Sequence, residues 1–440
     1  MTALTSTQAG SGNRGGQASN NPLTFTALQR FVASWLWLLP AIVVAVVAWN
    51  LRWMSDDGWI NMRVVDQMLA GNGPVFNTGE RVEVGTSTLW LWLLIGVSAL
   101  IPWFEPSQLA MVLGTGLMAT ALVLASLGSM HLLAPRTHRA DSTPRLVWVP
   151  AGTAVIAALP PIWEFATSGL EMSLAVCWLA ACFWGLARRL PRPDAGPAPR
   201  RLGAFRPWWL PVLIGLGPLV RPDFALFALA FAIALLVQSR LGVVSWAGAA
   251  VLALAIPGAY QVFRMGYYAA LVPNTALAKD ASGTRWAEGL SYLLDFIGPY
   301  AVWVPLVLIA IVQIVHLRGW AAERDRARIA LTVAVPVAGL LHATYIVRVG
   351  GDFMHARFLL PATVAIVLPI AAYPLRRTAG RITIVFLTAV LLWAITVAAG
   401  PRTRYELIQT ANEFSGRPPE LGIANERGWW QSRTMSHRTV

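Results

Sequence analysis

The chain has 440 residues, of which 56% are hydrophobic and only 12% charged, so it carries too little polar side chain to coat a water-soluble globule. Its formal charge of +13 would suggest nucleic acid in a soluble protein, but the arginines bunch in short stretches between apolar runs, the pattern that orients a membrane protein. The two cysteines, Cys177 and Cys182, lie inside one apolar stretch and imply neither a disulfide framework nor a metal site.

Residues 1–30, rich in Ser, Gly, Asn, Gln and Thr, read as a disordered cytoplasmic tail with no cleavable signal peptide ahead of the first span. A helix needs roughly 20 mostly apolar residues to cross the hydrocarbon core. Stretches of that character predict about eleven crossings: Phe31–Leu51, Leu109–Leu133, Leu146–Leu159, Met172–Leu186, Trp208–Val220, Phe224–Val237, Val243–Val262, Pro299–Val315, Ile329–Val347, Phe358–Pro374 and Ile382–Ala399. A further apolar run, Leu89–Ile101, is short for a span, and charge decides its role. If it does not cross, the arginines within 136–145, 188–206, 240, 318–328 and 376–381 all face the cytoplasm, as the positive-inside rule requires. If it crosses, they all face outward. The run is therefore expected to lie in or dip into the outer interface. The predicted architecture is all-α and polytopic, with a tail at 1–30, a transmembrane domain at 31–399 and a short extracytoplasmic segment at 400–440. The N terminus is expected inside the cell and the working face outside the plasma membrane.

On this topology most acidic residues outside the tail fall in the outer loops. The first of these, 52–108, opens with Arg52-Trp-Met-Ser-Asp56-Asp57-Gly58-Trp-Ile-Asn-Met-Arg63. Ile60, Val64 and Met68 recur at helical spacing opposite Asn61, Arg63, Asp66 and Gln67, which predicts an amphipathic juxtamembrane helix stopped by Gly71 and the Asn72-Gly73-Pro74 turn. Asp56 and Asp57 open that helix at headgroup level, where a carboxylate reaches the reacting centre of a lipid-linked substrate. The alternative is that Ser55, Asp56 and Asp57 cap the helix and satisfy its dipole without any catalysis.

Two further clusters share the outer side. Arg348-Val-Gly350-Gly351-Asp352-Phe-Met-His355-Ala-Arg357 combines two glycines, which allow close backbone approach, with an acid, an imidazole and two guanidiniums. Such a loop suits a phosphate, because arginine makes paired charge-assisted hydrogen bonds to it. Arg357 and His355 are the expected phosphate contacts, with Asp352 and Arg63 in support. The alternative is that Arg357 and His355 snorkel to the interface. Thr167-Ser168-Gly169-Leu170-Glu171 leads directly into a span, so Glu171 is a candidate site residue, or else an anchor or ion-pair partner of an arginine. Arg221-Pro222-Asp223 reads as a tight turn with a local salt bridge.

These residues resemble the membrane glycosyltransferases of GT-C architecture, which use lipid-phosphate sugars and carry an acidic pair in the first outer loop. More narrowly, Asp56-Asp57-Gly58, the stretch Leu69 to Asn77, Gly79 to Glu83, Thr86-Ser87-Thr88 and Gly350 to Arg357 are similar to the actinobacterial arabinofuranosyltransferases that end cell-wall arabinan in β-(1→2) linkages. The likeness runs from the first span to the last. It implies decaprenylphosphoryl arabinofuranose as donor and the non-reducing end of arabinan, in arabinogalactan or lipoarabinomannan, as acceptor. It also implies Asp56 and Asp57 as the acidic core. A β-linked donor giving a β-linked product means net retention, so a carboxylate nucleophile and a front-face route both stay open. No cofactor is required, and a divalent cation is compatible with the spacing but not demanded by it. The family continues into a sizeable extracytoplasmic domain after the last span. Asn425-Glu426-Arg427-Gly428-Trp429-Trp430 resembles the start of it, and the expectation is a truncated or divergent member.

Two other classes fit a polytopic chain. A lipid-linked sugar transporter would place its ionisable residues near the midplane on interrupted helices, often within internal repeats. A non-enzymatic membrane assembly or motility-control protein would share the fold and not the chemistry.

Overall fold

A computed structural model describes residues 34–134, 146–190, 208–239, 243–274, 283–375, 380–400 and 423–434. The expected tail at 1–30, the arginine-bearing stretches 135–145, 191–207 and 376–379, and most of 400–440 lie outside the described residues.

The first apolar run gives a 3-10 turn and then α1 (Leu39–Asn50). The amphipathic segment forms α2 (Asp56–Leu69), and the short apolar run forms α3 (Thr88–Leu100). At 1.5 Å per residue α3 is about 20 Å long, well short of the roughly 30 Å hydrocarbon core. Next come α4 (Pro106–Leu132), β1 (Val147–Val149), α5 (Ala151–Ala158), α6 (Pro160–Thr167) and α7 (Met172–Ala187). The chain continues through α8 (Trp209–Gly215), α9 (Gly217–Val220), α10 (Ala225–Gln238), α11 (Val243–Tyr268), α12 (Trp286–Ile297), α13 (Trp303–Ala322) and α14 (Arg326–Val349). It closes with α15 (Leu360–Val367), β2 (Tyr373–Leu375), α16 (Arg381–Ala399) and α17 (Glu426–Thr434). The protein is thus a helical, multi-pass membrane protein. Among the described residues five helices, α4, α11, α13, α14 and α16, are long and apolar enough to cross, and six if the bent pair α6–α7 is one span. The remaining apolar segments are shorter, so length and composition do not establish the expected eleven.

Three expected spans are broken rather than continuous. Leu146–Leu159 begins as β1, which pairs antiparallel with β2, Trp148 opposite Pro374. Pro150 and Pro160 bracket α5 and leave it only 8 residues, because proline is at home in a first helical turn and not in an interior. Phe358–Pro374 is likewise divided into a 3-10 turn, α15, a second 3-10 turn and β2. Trp208–Val220 is divided into α8 and α9 at Leu216, just ahead of Pro218. The stretch expected as the outer loop 160–171 is buried, with Pro160–Thr167 helical, and α6 turns into α7 through 111°.

The core lies between α4 and α7. Gly128 permits their close approach, since a Cβ there would lie 2.6 Å from the Phe183 ring. By contrast α11 is mostly turned outward, with Val243 and Val244 86% and 87% exposed, as lipid-facing side chains are. At one end of α14, Arg328 is buried, pairs with Asp325 at 3.0 Å and donates to the Leu132 carbonyl at 3.0 Å. That arginine, counted above among the orienting charges, also fastens α14 to the end of α4. At the other end of α14 lies the Gly350–Arg357 loop. It meets the start of α2, the α6–α7 bend and the segment leading into α17.

Candidate active site

The first turn of α2 separates capping from chemistry. Ser55 is the N-cap: its hydroxyl accepts from the Gly58 N–H at 3.0 Å and donates to the Ser168 carbonyl at 2.9 Å. The Ser55 N–H donates to the same carbonyl at 3.0 Å, and the Trp53 indole donates to the Glu164 carbonyl at 2.7 Å. These bonds seat the start of α2 on the α6–α7 bend, which carries Glu171. Asp56 is exposed and Asp57 partly so, and neither supplies the cap bond.

Glu171 is buried and pairs with Arg221 at 2.7 Å and Arg357 at 3.3 Å. Arg221 binds Asp223 at 3.0 Å and lies 4.2 Å from the Phe358 ring centroid, while Asp223 meets His342 Nε2 at 2.7 Å. The Arg221-Pro222-Asp223 turn does hold its local salt bridge. It is also the middle of a buried chain of charge running from His342 in α14 to Arg357. His342 gave no signal in the sequence, because a lone imidazole in an apolar run shows its partner only once the helices pack.

Arg357 is where the clusters converge. Its NH1 group lies 3.5 Å from Asp57 and 3.5 Å from Asp352, in addition to the NH2 contact with Glu171. The side chain is buried, and its Nε has no hydrogen-bond partner among the described residues. Gly350, at φ +97°, ends α14 in the left-handed conformation, and Gly351 follows at φ +80°. A Cβ on Gly351 would lie 2.4 Å from the Tyr292 ring. The Tyr292 hydroxyl in turn donates to the Met354 carbonyl at 3.0 Å and accepts from the Phe358 N–H at 3.1 Å, on either side of Arg357. Gly351→Ala therefore combines an unfavourable φ with a clash. It is expected to destabilise the protein by roughly 1–3 kcal/mol, read as a lower melting temperature in detergent.

Two expected site residues are engaged with other partners. His355 has both ring nitrogens engaged, Nδ1 with Asp295 at 2.6 Å and Nε2 with the Tyr300 hydroxyl at 3.1 Å. It fastens the loop to α12 and presents no open nitrogen to a phosphate. Arg63 is turned toward the end of the first loop: its Nε donates to the Phe76 carbonyl at 2.9 Å, and the guanidinium lies 5.1 Å from the Phe76 ring centroid. It holds the Phe76-Asn77 turn and makes no contact with Arg357. Asp56, Asp57, Glu171, Asp352 and Arg357 are brought together. Among the described residues no group of three or more His, Cys, Asp or Glu is arranged to hold a metal ion.

One residue joins the site unannounced. Glu426, at the start of α17, accepts the Asp56 N–H at 2.7 Å. Burial, with the Asp56 and Asp57 charges nearby, pushes its carboxyl up to about 7. Its sequence signal was the Asn425–Trp430 resemblance, which gave Glu426 no role in the site and lies far from Asp56 along the chain.

No protein-family model matches the chain, and no solved structure matches it. The terminal β-(1→2)-arabinofuranosyltransferase of Mycobacterium tuberculosis is 38% identical over 373 residues, covering 79% of this chain and 57% of that protein. The protein of the same name from Corynebacterium glutamicum is 37% identical over 374 residues, covering 80% of this chain and 52% of that protein. This chain is homologous to both. It spans little more than half the length of these two relatives. The resemblance carried by the first-loop motifs and the Gly350–Arg357 loop thus reflects a relationship extending over most of the chain.

Proposed function

We propose that the chain is a membrane glycosyltransferase that moves arabinofuranose from decaprenylphosphoryl arabinofuranose to the non-reducing end of cell-wall arabinan, in arabinogalactan or lipoarabinomannan. The observation that carries this reading is the meeting of Asp57 with Asp352 and Glu171 on the buried Arg357 guanidinium, at the point where α2 leaves the first apolar helix. Transfer from a lipid phosphate needs a carboxylate beside the sugar, a cation near the departing phosphate, and both at membrane level. In this reading Asp56 and Asp57 form the acidic core beside the pentose, and Arg357 holds Asp57 in place while its open Nε is turned to the donor. Arg348 is exposed, and its carbonyl accepts from the Arg285 N–H at 2.8 Å beside Gly350. These two arginines offer further positive charge for a headgroup phosphate. The arginine distribution along the chain supports an extracytoplasmic site on the plasma membrane and a cytoplasmic N terminus.

The 111° bend at Glu171 inside a candidate span is the observation that favours a second reading, a lipid-linked sugar transporter, since such proteins build their sites on interrupted helices. One assay separates the two. Membranes containing the protein, labelled decaprenylphosphoryl arabinofuranose and a short arabinan acceptor should yield acceptor lengthened by one β-(1→2)-linked arabinofuranose. Accumulation of intact labelled donor inside sealed vesicles, with no lengthened acceptor, would establish the transporter instead.

A further inference from the structure

The segment that follows the last span returns to the site and is fixed there by several bonds. Ala424 bridges Met354: its N–H donates to the Phe353 carbonyl at 2.7 Å, and its carbonyl accepts from the His355 N–H at 3.2 Å. Asn425 caps α17 by accepting the Gly428 N–H at 3.0 Å. Arg427, 3% exposed, donates to the Leu51 carbonyl at 3.1 Å and to Glu164 at 3.4 Å. Glu426 is held between these anchors, so its position does not depend on a flexible side chain finding the site by chance.

One oxygen of Glu426 accepts the Asp56 N–H, and the other is buried with no hydrogen-bond partner among the described residues. Buried polar atoms are nearly always satisfied, so an open one asks for an explanation. A second lies close by in the same constellation: Nε of Arg357, a residue only 4% exposed. An open acceptor and an open donor, on two residues that are both close to Asp57, match a substrate pair that brings one hydroxyl and one oxyanion. The charged groups facing Glu426 are Asp56 and Asp57 from α2 and Arg357 from the glycine loop. The Arg427–Glu164 pair and His355, itself held by Asp295, line the small cavity beside it.

We propose that Glu426 is a catalytic residue, the base that takes the proton of the acceptor hydroxyl. The inference rests on the glycosyltransferase reading and gives that site a third carboxyl with its own task. The acceptor O–H proton passes to Glu426 as the acceptor oxygen bonds to C1 of the pentose. The bond from C1 to the phosphate oxygen breaks, and its electron pair leaves with the polyprenyl phosphate. If retention runs through a carboxylate nucleophile, the phosphate leaves in the first displacement and Glu426 takes the proton in the second. Asp57, ion-paired to Arg357, is then the group that meets positive charge or carbon at C1. A carboxyl that titrates near 7 suits proton transfer near neutral pH.

The test is the pH profile of arabinofuranosyl transfer by the full chain in membranes, for wild type, Glu426→Gln and Glu426→Asp, with melting curves across the same pH range. The wild-type rate should fall below about pH 7 along a single-proton limb. Glu426→Gln should lose roughly a hundredfold in rate at neutral pH and lose the limb, while Glu426→Asp keeps the limb at a reduced rate. Between pH 4.5 and about 7 the folded protein holds a proton that the unfolded chain has released, so its stability should decline as pH rises through that window. Glu426→Gln should remove that decline, which shows the titrating group independently of turnover. A Gln variant with wild-type rate, or with a lower rate and an unchanged limb, overturns the proposal and leaves Glu426 a structural acceptor for α2. Wild-type protein that transfers nothing at any pH, yet shows the stability decline, would bring down the glycosyltransferase reading itself and with it the catalytic role.

Discussion

Asp57→Asn is expected to lower arabinofuranosyl transfer by roughly a hundredfold or more while leaving the protein folded and inserted. The side chain is not needed to start α2, because Ser55 makes the cap bond and is tied to Ser168 as well. Asparagine nearly matches aspartate in size, and Arg357 keeps Glu171 at 3.3 Å and Asp352 at 3.5 Å, so its charge stays compensated. What disappears is the one carboxylate of the three that is open to solvent as well as paired with Arg357. Ser55→Ala supplies the contrast. It removes a cap worth roughly 1 kcal/mol and should lower the melting temperature, with transfer per folded molecule close to normal. Asp56→Asn tells which member of the pair carries the larger share, since Asp56 meets Glu426 through its backbone N–H and not its side chain. Near-normal transfer by both asparagine variants would make the pair structural and move the chemistry to Asp352, Glu171 or Glu426.

Local pattern made α2 legible. Apolar residues at helical spacing, a serine ahead of two acids and an Asn-Gly-Pro stop define a helix without help from the rest of the molecule, and the structure starts it at Asp56. The acids of the glycine loop and of the α6–α7 bend were legible as candidates for the same reason, being charges at the ends of apolar runs. Their partners were not. Arg357 is paired with Glu171, 186 positions away, and pairing over such a separation leaves no trace in local sequence. The partners of His355 were hidden for the same reason, since Asp295 and Tyr300 come from a different part of the chain. The broken spans were missed because hydropathy averages over a window, whereas a single proline or a strand pairing such as Val147 with Leu375 decides whether the helix continues.

Arg357→Ala is expected to be the most damaging single change at the site, in stability as well as in transfer. Three carboxylates lie within 3.5 Å of this guanidinium, and two of them, Glu171 and Asp352, have side chains no more than 5% exposed. Removing one partner of a buried ion pair costs roughly 3–5 kcal/mol, because the remaining charge has neither water nor cation. Arg221 still holds Glu171 at 2.7 Å, while Asp352 loses the guanidinium 3.5 Å from it. Adding Asp352→Asn to Arg357→Ala should therefore recover part of the lost melting temperature, since a neutral amide needs no counter-charge. It should not recover transfer, because Asp57 would still lack the group that fixes it and the donor phosphate would still lack the open Nε. Arg357→Lys separates charge from shape. A single ammonium cannot serve Asp57, Glu171 and Asp352 from one position as the planar fork does, so stability should fall less than in the alanine variant while transfer stays low. If Arg357→Ala melts like wild type and uses the lipid donor as well as wild type, the convergence of the three acids on this arginine has no part in the chemistry.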